Sequence, residues 1–193
     1  MTLTSSINYK NCIKADLYRY CGGTKFKDFF NVYRKHPGFK FSFWMRTCFY
    51  SKKNFWGKYF VFPFSYIFYN HYKYKFGIDI SYTSNIGPGL LIYHFGGIVV
   101  AVESAGKNLT VSQCTTIGMT IKNGIKKFPI IGDGVYLAPG SKVIGGIIVG
   151  NNVAIGSNCV LNKSVANDSV VVGIPGKVIS RKGAHEYVNF PIK

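Results

Sequence analysis

The sequence contains few acidic residues, and its cysteines follow no recognisable pattern. Asp and Glu number only 7 against 24 Lys and Arg, which gives a formal net charge of +17 at pH 7. The 5 cysteines have no paired spacing, so the sequence predicts neither a disulfide framework nor a zinc site. The first residues, MTLTSSINYKN, lack the apolar segment of a signal peptide, and we therefore expect the protein in a reducing cytoplasm.

The sequence also lacks a long apolar run. The stretch from Tyr59 to Tyr72 carries no formal charge, but it contains Pro63 and is shorter than the about 20 residues that a membrane-spanning helix needs. A nucleophile-elbow motif and the signatures of DNA- and RNA-binding domains are absent as well. We therefore expect no covalent acyl-enzyme intermediate and no nucleic-acid partner, although the positive charge on its own leaves nucleic-acid binding as an alternative.

The most informative feature that is present is a six-residue repeat. One series of aliphatic residues consists of Ile131, Leu137, Val143, Val149, Ile155 and Leu161. A second series follows it by four positions and consists of Val135, Ser141, Ile147, Val153, Cys159 and Val165. A helix repeats about every 3.6 residues and a plain strand every second residue, so this period predicts a mainly β fold in which short strands form a parallel β-helix.

A weaker form of the repeat covers the preceding part of the coil. Its aliphatic positions are Ile80, Ile86, Ile92, Ile98, Val111 and Ile117. The repeat is interrupted between Met119 and Pro129, where MTIKNGIKKFP is polar and basic and contains a glycine. We interpret residues 119–129 as a loop extruded from the coil, and such loops often carry function because the scaffold does not need them.

The composition of the chain changes near Gly77. Residues 1–78 hold 14 of the 24 Lys and Arg and 25 of the 32 aromatic residues, but only two acids, Asp16 and Asp28. We therefore divide the chain into a basic, aromatic-rich helical N-terminal part, residues 1–77, and a coil with a C-terminal tail, residues 78–193. Aromatic side chains mixed with lysines can lie at the inner face of a membrane. The alternative is a helical cap in which the aromatics form the core and the lysines are solvated.

Several motifs around the repeat resemble the serine acetyltransferase branch of the hexapeptide-repeat acyltransferases. They are an upstream GID, then YHFGGIVV, then TTIGMT before the loop, and a closing VVVGIPGKVI. The resemblance implies a left-handed parallel β-helix, acetyl-CoA as the acyl donor, and a homotrimer with active sites between subunits. Because the sequence has no metal-ligand motif, we expect no metal. The handedness rests on the resemblance alone, because the spacing of the repeat does not determine it.

Two residues match the catalytic positions of that family. His94 falls on its catalytic histidine, and Asp79 falls on the aspartate that orients this histidine. An alcohol is a poor nucleophile at neutral pH, and a histidine is the usual general base because its pKa is close to 7. A carboxylate beside the ring would fix its tautomer and stabilise the imidazolium that forms.

The predicted binding site for coenzyme A consists of small residues and lysines. Gly118, Thr120, Pro139 and Ser157 are expected to line a groove for the pantetheine arm, at corners of successive coils. Lys163 and Lys177 lie close to the end of the coil, and their charges would meet the phosphates of the cofactor.

The predicted acceptor depends on two departures from the family pattern. Tyr93 stands where serine-specific members have an acid, and Phe128 stands where they have a second histidine. Two aromatic residues suit a pyranose ring, so we expect an O-acetyltransferase that acts on a sugar of a surface polysaccharide or its lipid-linked precursor. Serine O-acetylation in cysteine biosynthesis is one alternative, and a catalytically silent structural β-helix is another.

Overall fold

The computed structural model describes residues 8–193, and residues 1–7 of the predicted N-terminal part lie outside the described residues. Within this range, four α-helices precede all of the strands. The helices are α1 (Tyr9–Cys21), α2 (Phe26–Lys35), α3 (Pro37–Ser51) and α4 (Phe62–Phe76), and a π-helical turn at Gly57–Val61 runs directly into α4. No helix among residues 8–193 has both the length and the apolar character needed to cross a bilayer.

Short strands follow the helices to the end of the coil. They are β1 (Ile78–Ile80), β2 (Leu91–Ile92), β3 (Ile98–Val100), β4 (Ser104–Ala105), β5 (Thr110–Val111), β6 (Thr116–Gly118), β7 (Thr120–Lys122), β8 (Ile125–Lys127), β9 (Ile130–Ile131), β10 (Tyr136–Leu137), β11 (Lys142–Ile144), β12 (Ile148–Val149), β13 (Ala154–Ile155), β14 (Val160–Leu161), β15 (Val170–Val172) and β16 (Lys177–Ser180).

These strands form a parallel β-helix with three faces. The first face has the order β1-β3-β6-β11-β14, the second has β4-β9-β12, and the third has β2-β5-β10-β13-β15 with β16 beside β15. Where the coil is regular, paired residues are 18 positions apart, as in Tyr136 with Ala154 and Ile130 with Ile148. One turn of the coil therefore contains three six-residue units, one for each face.

Both series of the predicted repeat point into the coil. Every member of the Ile131–Leu161 series is buried, and so is every member of the second series except Val165, which is half-buried and packs against the core. Each turn thus adds one layer of aliphatic side chains to a continuous core. The parallel β-helix that the repeat predicted is confirmed.

The first coils depart from the regular spacing, most strongly at one corner. Val100 pairs with Ile80 and Ile117, whereas Ile98 pairs with Ile78. Ile98 is buried as predicted, but Val100, which is also buried, is the residue in line with Ile80 and Ile117. The extra residues enlarge the corner at residues 93–97, which joins the third face to the first.

The predicted loop at residues 119–129 contains a β-hairpin. Strands β7 and β8 pair antiparallel, and Asn123 and Gly124 connect them with φ angles of 52° and 74°. Positive φ at both central residues is the requirement of the tight hairpin turn that Asn-Gly favours. The hairpin leaves the coil at the edge between the first and second faces, and all residues from 120 to 127 are exposed.

Candidate active site

His94 lies on the enlarged corner between β2 and β3. Gly96 and Gly97 shape this corner with φ angles of 103° and 65°, a region that side chains with a Cβ rarely adopt. The imidazole is exposed, and the ring of Tyr93 lies 6.4 Å from it in a stacked arrangement. The sequence therefore places the predicted base on an irregular, solvent-accessible turn of an otherwise regular scaffold.

Asp79 lies in the same part of the coil, but it has another partner. Its Oδ1 atom is 2.6 Å from the Nζ atom of Lys73, on α4, and no hydrogen bond or ion pair joins it to His94 among the described residues. The corner that carries His94 nevertheless runs beside the start of β1, because the N–H of Ile98 donates to the carbonyl of Gly77 at 3.0 Å. The predicted contact between Asp79 and His94 is thus not formed in the free chain.

A cleft of about 450 Å³ adjoins Asp79 on the first face. Its lining is Asp79, Ser81, Thr83, Ser84, Asn85, Val99, Val100, Ala101, Val102, Glu103 and Phe128. It combines two carboxylates and several hydroxyl groups with the aromatic ring of the residue that precedes Pro129. The sequence identified Asp79 and Phe128, but it gave no reason to select Glu103, since a single exposed glutamate has no distinguishing pattern.

The strand that leads to His94 is held by the helical part through hydrogen bonds to its backbone. The hydroxyl of Tyr20, on α1, accepts a hydrogen bond from the N–H of Ile92 at 3.0 Å and donates one to its carbonyl at 3.1 Å. Burial raises the pKa of this phenol, so the hydroxyl keeps its proton. Since Tyr93 and His94 follow directly, Tyr20 fixes the position from which the corner starts.

A buried ion pair holds the preceding residues. Asp16 and Arg46 meet at 3.1 Å, and the Asp16 carboxylate also accepts the N–H groups of Gly89 and Leu90 at 2.9 and 2.8 Å. Arg46 donates to the carbonyls of Ile86 and Gly87 at 2.6 Å each. Burial disfavours the charge on Arg46, but the neighbouring Asp16 carboxylate outweighs burial and raises the pKa of the guanidinium.

Two further side chains complete this arrangement. Arg19 donates to the carbonyl of Gly89 at 2.8 Å and to Thr110 Oγ1 at 2.7 Å; burial lowers its pKa to about 10, which leaves it charged at neutral pH. Tyr69 donates to the carbonyl of Ile80 at 2.9 Å. Because the first coil has no preceding coil to pair with, these polar side chains satisfy its exposed backbone edge. We call the set Asp16, Arg19, Tyr20, Arg46 and Tyr69 the polar cap.

The predicted residues for coenzyme A lie on two edges of the coil. Gly118, Thr120 and Lys163 lie at or beyond the edge between the first and second faces, whereas Pro139 and Ser157 lie on the edge between the third and first faces. Lys177 begins β16, next to the latter edge, and pairs in register with Val172. A single groove formed by all six residues of one chain is therefore not present. The assignment of these six residues to coenzyme A therefore stays a prediction, and in one chain the hairpin separates Gly118 from Pro139.

The two predicted acceptor residues are also separated. The Tyr93 hydroxyl accepts a hydrogen bond from the side-chain amide of Asn189, in the C-terminal tail, and Tyr93 lies between the third and first faces. Phe128 lies at the opposite edge of the first face, in the cleft beside Asp79. Within one chain, the two rings do not form the flat platform that was predicted for a sugar.

The cysteines near the site differ in exposure. Cys114 is exposed, and it lies next to the His94 corner because its N–H donates to the carbonyl of Gly96 at 2.8 Å. Cys159 is buried in the coil, and burial raises the pKa of its thiol. In the part of the chain that the structure describes, no three His, Cys, Asp or Glu side chains come together in a group that could hold a metal ion.

Comparison with known proteins gives consistent results. The family of bacterial transferase hexapeptide proteins (six repeats) matches residues 128–163. Serine acetyltransferase of Staphylococcus aureus (strain Mu50) is 43% identical over 108 residues, which cover 55% of this chain and 51% of that protein. The homologue of Staphylococcus epidermidis (strain ATCC 12228 / FDA PCI 1200) is 42% identical over the same length. The chain thus spans about half the length of the curated relatives it matches.

Solved structures of serine acetyltransferases show the same fold. The enzyme of Neisseria gonorrhoeae matches with a TM-score of 0.73 and 26% identity, over 92% of this chain and 69% of that chain. A serine acetyltransferase in complex with CoA matches with a TM-score of 0.66 and 22% identity, over 87% of this chain and 68% of that chain. The resemblance to the serine acetyltransferase-like branch and the left-handed β-helix with a helical N-terminal part are both confirmed.

The predicted acceptor is corrected by the same comparisons. These relatives and structures are serine acetyltransferases, which contradicts an O-acetyltransferase of polysaccharide biosynthesis. Within one chain, the separation of Tyr93 from Phe128 also leaves no flat aromatic platform for a sugar. The finding supports the alternative that the sequence had left open, transfer to serine.

Proposed function

We propose that this chain is an acetyl-CoA-dependent O-acetyltransferase and that its acceptor is the hydroxyl of serine. One observation carries the proposal: His94 is exposed on the first coil of a chain that matches a serine acetyltransferase structure over 92% of its length. The 43% identity to a curated serine acetyltransferase supports the same acceptor.

His94 would act as the general base. Its imidazole takes the proton of the serine hydroxyl while the oxygen attacks the thioester carbonyl carbon of acetyl-CoA. The resulting oxyanion collapses, the carbon–sulfur bond breaks, and the imidazolium returns its proton to the leaving thiolate. A positioned base of this kind contributes about 10²–10⁴-fold to the rate.

The charges of serine require partners, and the cleft beside Asp79 provides candidates. The exposed carboxylate of Glu103 lines this cleft and forms no ion pair with any described residue, so it is suited to the ammonium group. Lys73, which contacts Asp79 at 2.6 Å, would pair with the serine carboxylate. This exchange would release Asp79 to orient His94. These groups stand at other positions than the acid and the second histidine of the family pattern, where this chain has Tyr93 and Phe128.

A trimer would bring the separated predicted residues together. Four exposed aliphatic side chains on the hairpin and the second face favour contact with another subunit, and they are Ile121, Ile125, Ile130 and Ile148. A neighbouring chain packed there would place its edge with Pro139 and Ser157 near Gly118 and Thr120. We propose a homotrimer, for which light scattering should give about three times the mass of the chain. A monomeric mass at micromolar concentration would refute it.

We further propose that the enzyme works in the cytoplasm, where acetyl-CoA is made available to biosynthetic enzymes. A role of the basic helical part at a membrane is a separate proposal.

Release of coenzyme A from acetyl-CoA in the presence of serine tests the function directly. The free thiol is measured with a chromogenic disulfide, and the product is identified by its mass as O-acetylserine. His94→Ala should lose at least about 10²-fold in turnover. His185→Ala, which removes an exposed histidine from the C-terminal tail, should remain as active as the unmodified chain. Serine-independent release, or full activity in His94→Ala, would contradict the proposal.

A further inference from the structure

The segment from Phe55 to Ile67 exposes large apolar side chains that the helical part does not use for its own packing. Trp56, Phe60 and Ile67 are 70%, 66% and 66% exposed. Apart from Tyr66, whose ring packs against Tyr69 and Tyr82, the exposed residues are Phe55, Trp56, Tyr59, Phe60, Val61, Phe64 and Ile67. We call these seven residues the aromatic ridge. A helical cap with a solvated surface would bury such residues, so the ridge is not explained by capping alone.

The core of the helical part is formed by other residues. Phe41, Met45, Cys48, Tyr69 and Phe76 join the core of the coil. A second cluster within the helices consists of Ile13, Leu17, Val32 and Phe39. The ridge therefore lies outside both clusters, although it occupies 13 consecutive positions that include the π-helical turn.

The surroundings of the ridge are basic. Lys52, Lys53 and Lys58 are exposed, and the Nζ atom of Lys58 lies 5.4 Å from the centre of the Tyr59 ring. Both acids of the helical part are already engaged, since Asp16 is buried against Arg46 and Asp28 accepts the N–H of Lys25 at 2.9 Å. Among residues 8–77 no free carboxylate offsets the lysines. The ridge thus combines exposed rings with an unbalanced positive charge.

A groove lies directly behind the ridge. It has a volume of about 510 Å³ and is lined by Tyr9, Thr47, Tyr50, Ser51, Asn54, Trp56, Gly57, Phe60 and Val61. Its walls are mostly apolar, and its polar groups are hydroxyls and an amide. Such a groove is suited to the upper part of an acyl chain below its headgroup.

We propose that the aromatic ridge docks this protein on the surface of an anionic lipid bilayer. The rings would lie at the boundary between headgroups and acyl chains, and the lysines would face lipid phosphates. Charge favours a bilayer over a second copy of this chain, because a symmetric contact at the ridge would place lysines against lysines. The formal charge of +17 adds to that repulsion.

The two tryptophans of the chain allow a direct test. Trp44→Phe leaves Trp56 as the single fluorescent indole, and Trp44 is partly buried against Phe68 with ring centres 4.6 Å apart. Vesicles of phosphatidylcholine with phosphatidylglycerol should shift the emission of Trp56 to shorter wavelength, and brominated acyl chains should quench it. Vesicles of phosphatidylcholine alone should do neither at the same concentration. Unchanged emission with anionic vesicles would overturn the proposal.

Substitutions on the ridge and on another exposed aromatic pair distinguish docking through the ridge from nonspecific adhesion to vesicles. Trp56→Ser with Phe60→Ser should weaken vesicle binding by about tenfold or more. Phe26→Ser with Phe30→Ser removes two phenylalanines that are 80% and 56% exposed on α2, and it should leave binding unchanged. Equal losses in the two double variants would show that the ridge is not the docking surface.

Two further measurements complete the test. Lys52→Gln, Lys53→Gln and Lys58→Gln together should weaken binding to anionic vesicles and reduce its dependence on salt. A lower mass of Trp56→Ser in light scattering without lipid would instead identify the ridge as a contact between chains and overturn the proposal. The quenching measurement leaves the ridge intact, so it remains decisive if a ridge variant fails to fold. None of these measurements depends on acetyl transfer.

Discussion

Replacement of Asp16 by alanine would remove the acceptor at the centre of the polar cap. The side chain is fully buried, and its carboxylate contacts Arg46 at 3.1 Å and the N–H groups of Gly89 and Leu90 at 2.9 and 2.8 Å. Without it, a guanidinium stays buried without a counterion, and two amides lose their acceptor. Removing one partner of a buried ion pair costs about 3–5 kcal/mol, and we expect Asp16→Ala to lower the free energy of unfolding by that amount.

The other acid of the helical part provides a matched control. Asp28 accepts the N–H of Lys25 at 2.9 Å and caps the start of α2, where it is half-buried. Loss of a helix cap costs about 0.5–2 kcal/mol, so Asp28→Ala should destabilise the protein less than Asp16→Ala. The combined variant Asp16→Leu with Arg46→Met removes both charges and should recover part of the loss. Its recovery would be incomplete because the carbonyls of Ile86 and Gly87 lose their donor.

Urea unfolding followed by circular dichroism would measure these differences. All variants must be compared at one protein concentration, because the stability of an oligomer depends on it. A loss in Asp16→Ala no larger than that in Asp28→Ala would refute the view that this carboxylate anchors the first coil. Asp16→Ala should also reduce turnover, since Leu90 directly precedes β2, and β2 leads into the corner that carries His94.

Three further predictions follow from the same contacts. Tyr20→Phe removes the hydroxyl that serves both backbone groups of Ile92, so the free energy of unfolding should fall by about 1–3 kcal/mol; equal stability to the half-buried control Tyr18→Phe would contradict this. Gly38→Ala should cost about 1–3 kcal/mol, because a Cβ there collides with the Ile92 carbonyl, and unfolding as stable as the unmodified chain would disprove the collision. Iodoacetamide should modify only the exposed cysteines of the folded protein, and peptide mass mapping would reveal any exception. The exposed cysteines are Cys21 and Cys114, and the buried ones, whose thiol pKa values burial raises, are Cys12, Cys48 and Cys159.

The coil could be predicted because every turn has the same packing requirement, and the sequence repeat reflects it. Each turn must bury one aliphatic side chain on each face, and Ile131, Val143 and Leu161 meet this requirement at fixed spacing. The handedness came only from the resemblance, since the inward spacing is the same for either hand. Ile98 is buried as predicted, but its register in the coil differs by two residues, because one corner can lengthen without disturbing the core.

The polar cap could not be predicted from the sequence. Asp16, Tyr20 and Arg46 form hydrogen bonds with backbone groups between residues 86 and 92. Nearly every residue has the same backbone groups, so the sequence of that segment does not show which of them are bonded to a side chain. The edges on which the coenzyme A residues lie could not be predicted for a different reason. Gly118 and Pro139 both lie at corners of the coil, but the hairpin between them shifts the phase of the repeat.

The acceptor could not be predicted from two positions alone. Tyr93 and Phe128 lack the charges of serine-specific enzymes, but charges elsewhere in a site can serve the same substrate. The structure offers other charges near the cleft beside Asp79, because Glu103 lines it and Lys73, on α4, contacts Asp79 in its lining. Under the proposed function, the site would keep its electrostatic balance although its charged residues stand at other positions.

The closed ends of the coil bear on how such a scaffold can change its length. The polar cap satisfies the backbone at one end, and β16 pairs antiparallel with β15 at the other. Between these ends, each turn of the coil contacts only its two neighbouring turns. Deletion of the 18 residues from Pro139 to Gly156 would therefore join Ala138 to Ser157 without changing the phase of the repeat. Such a deletion would shorten the coil by one turn and leave both ends and His94 in place. Point substitutions change single residues of the site. Duplication or loss of a whole turn changes the length of the coil and leaves the site as it is.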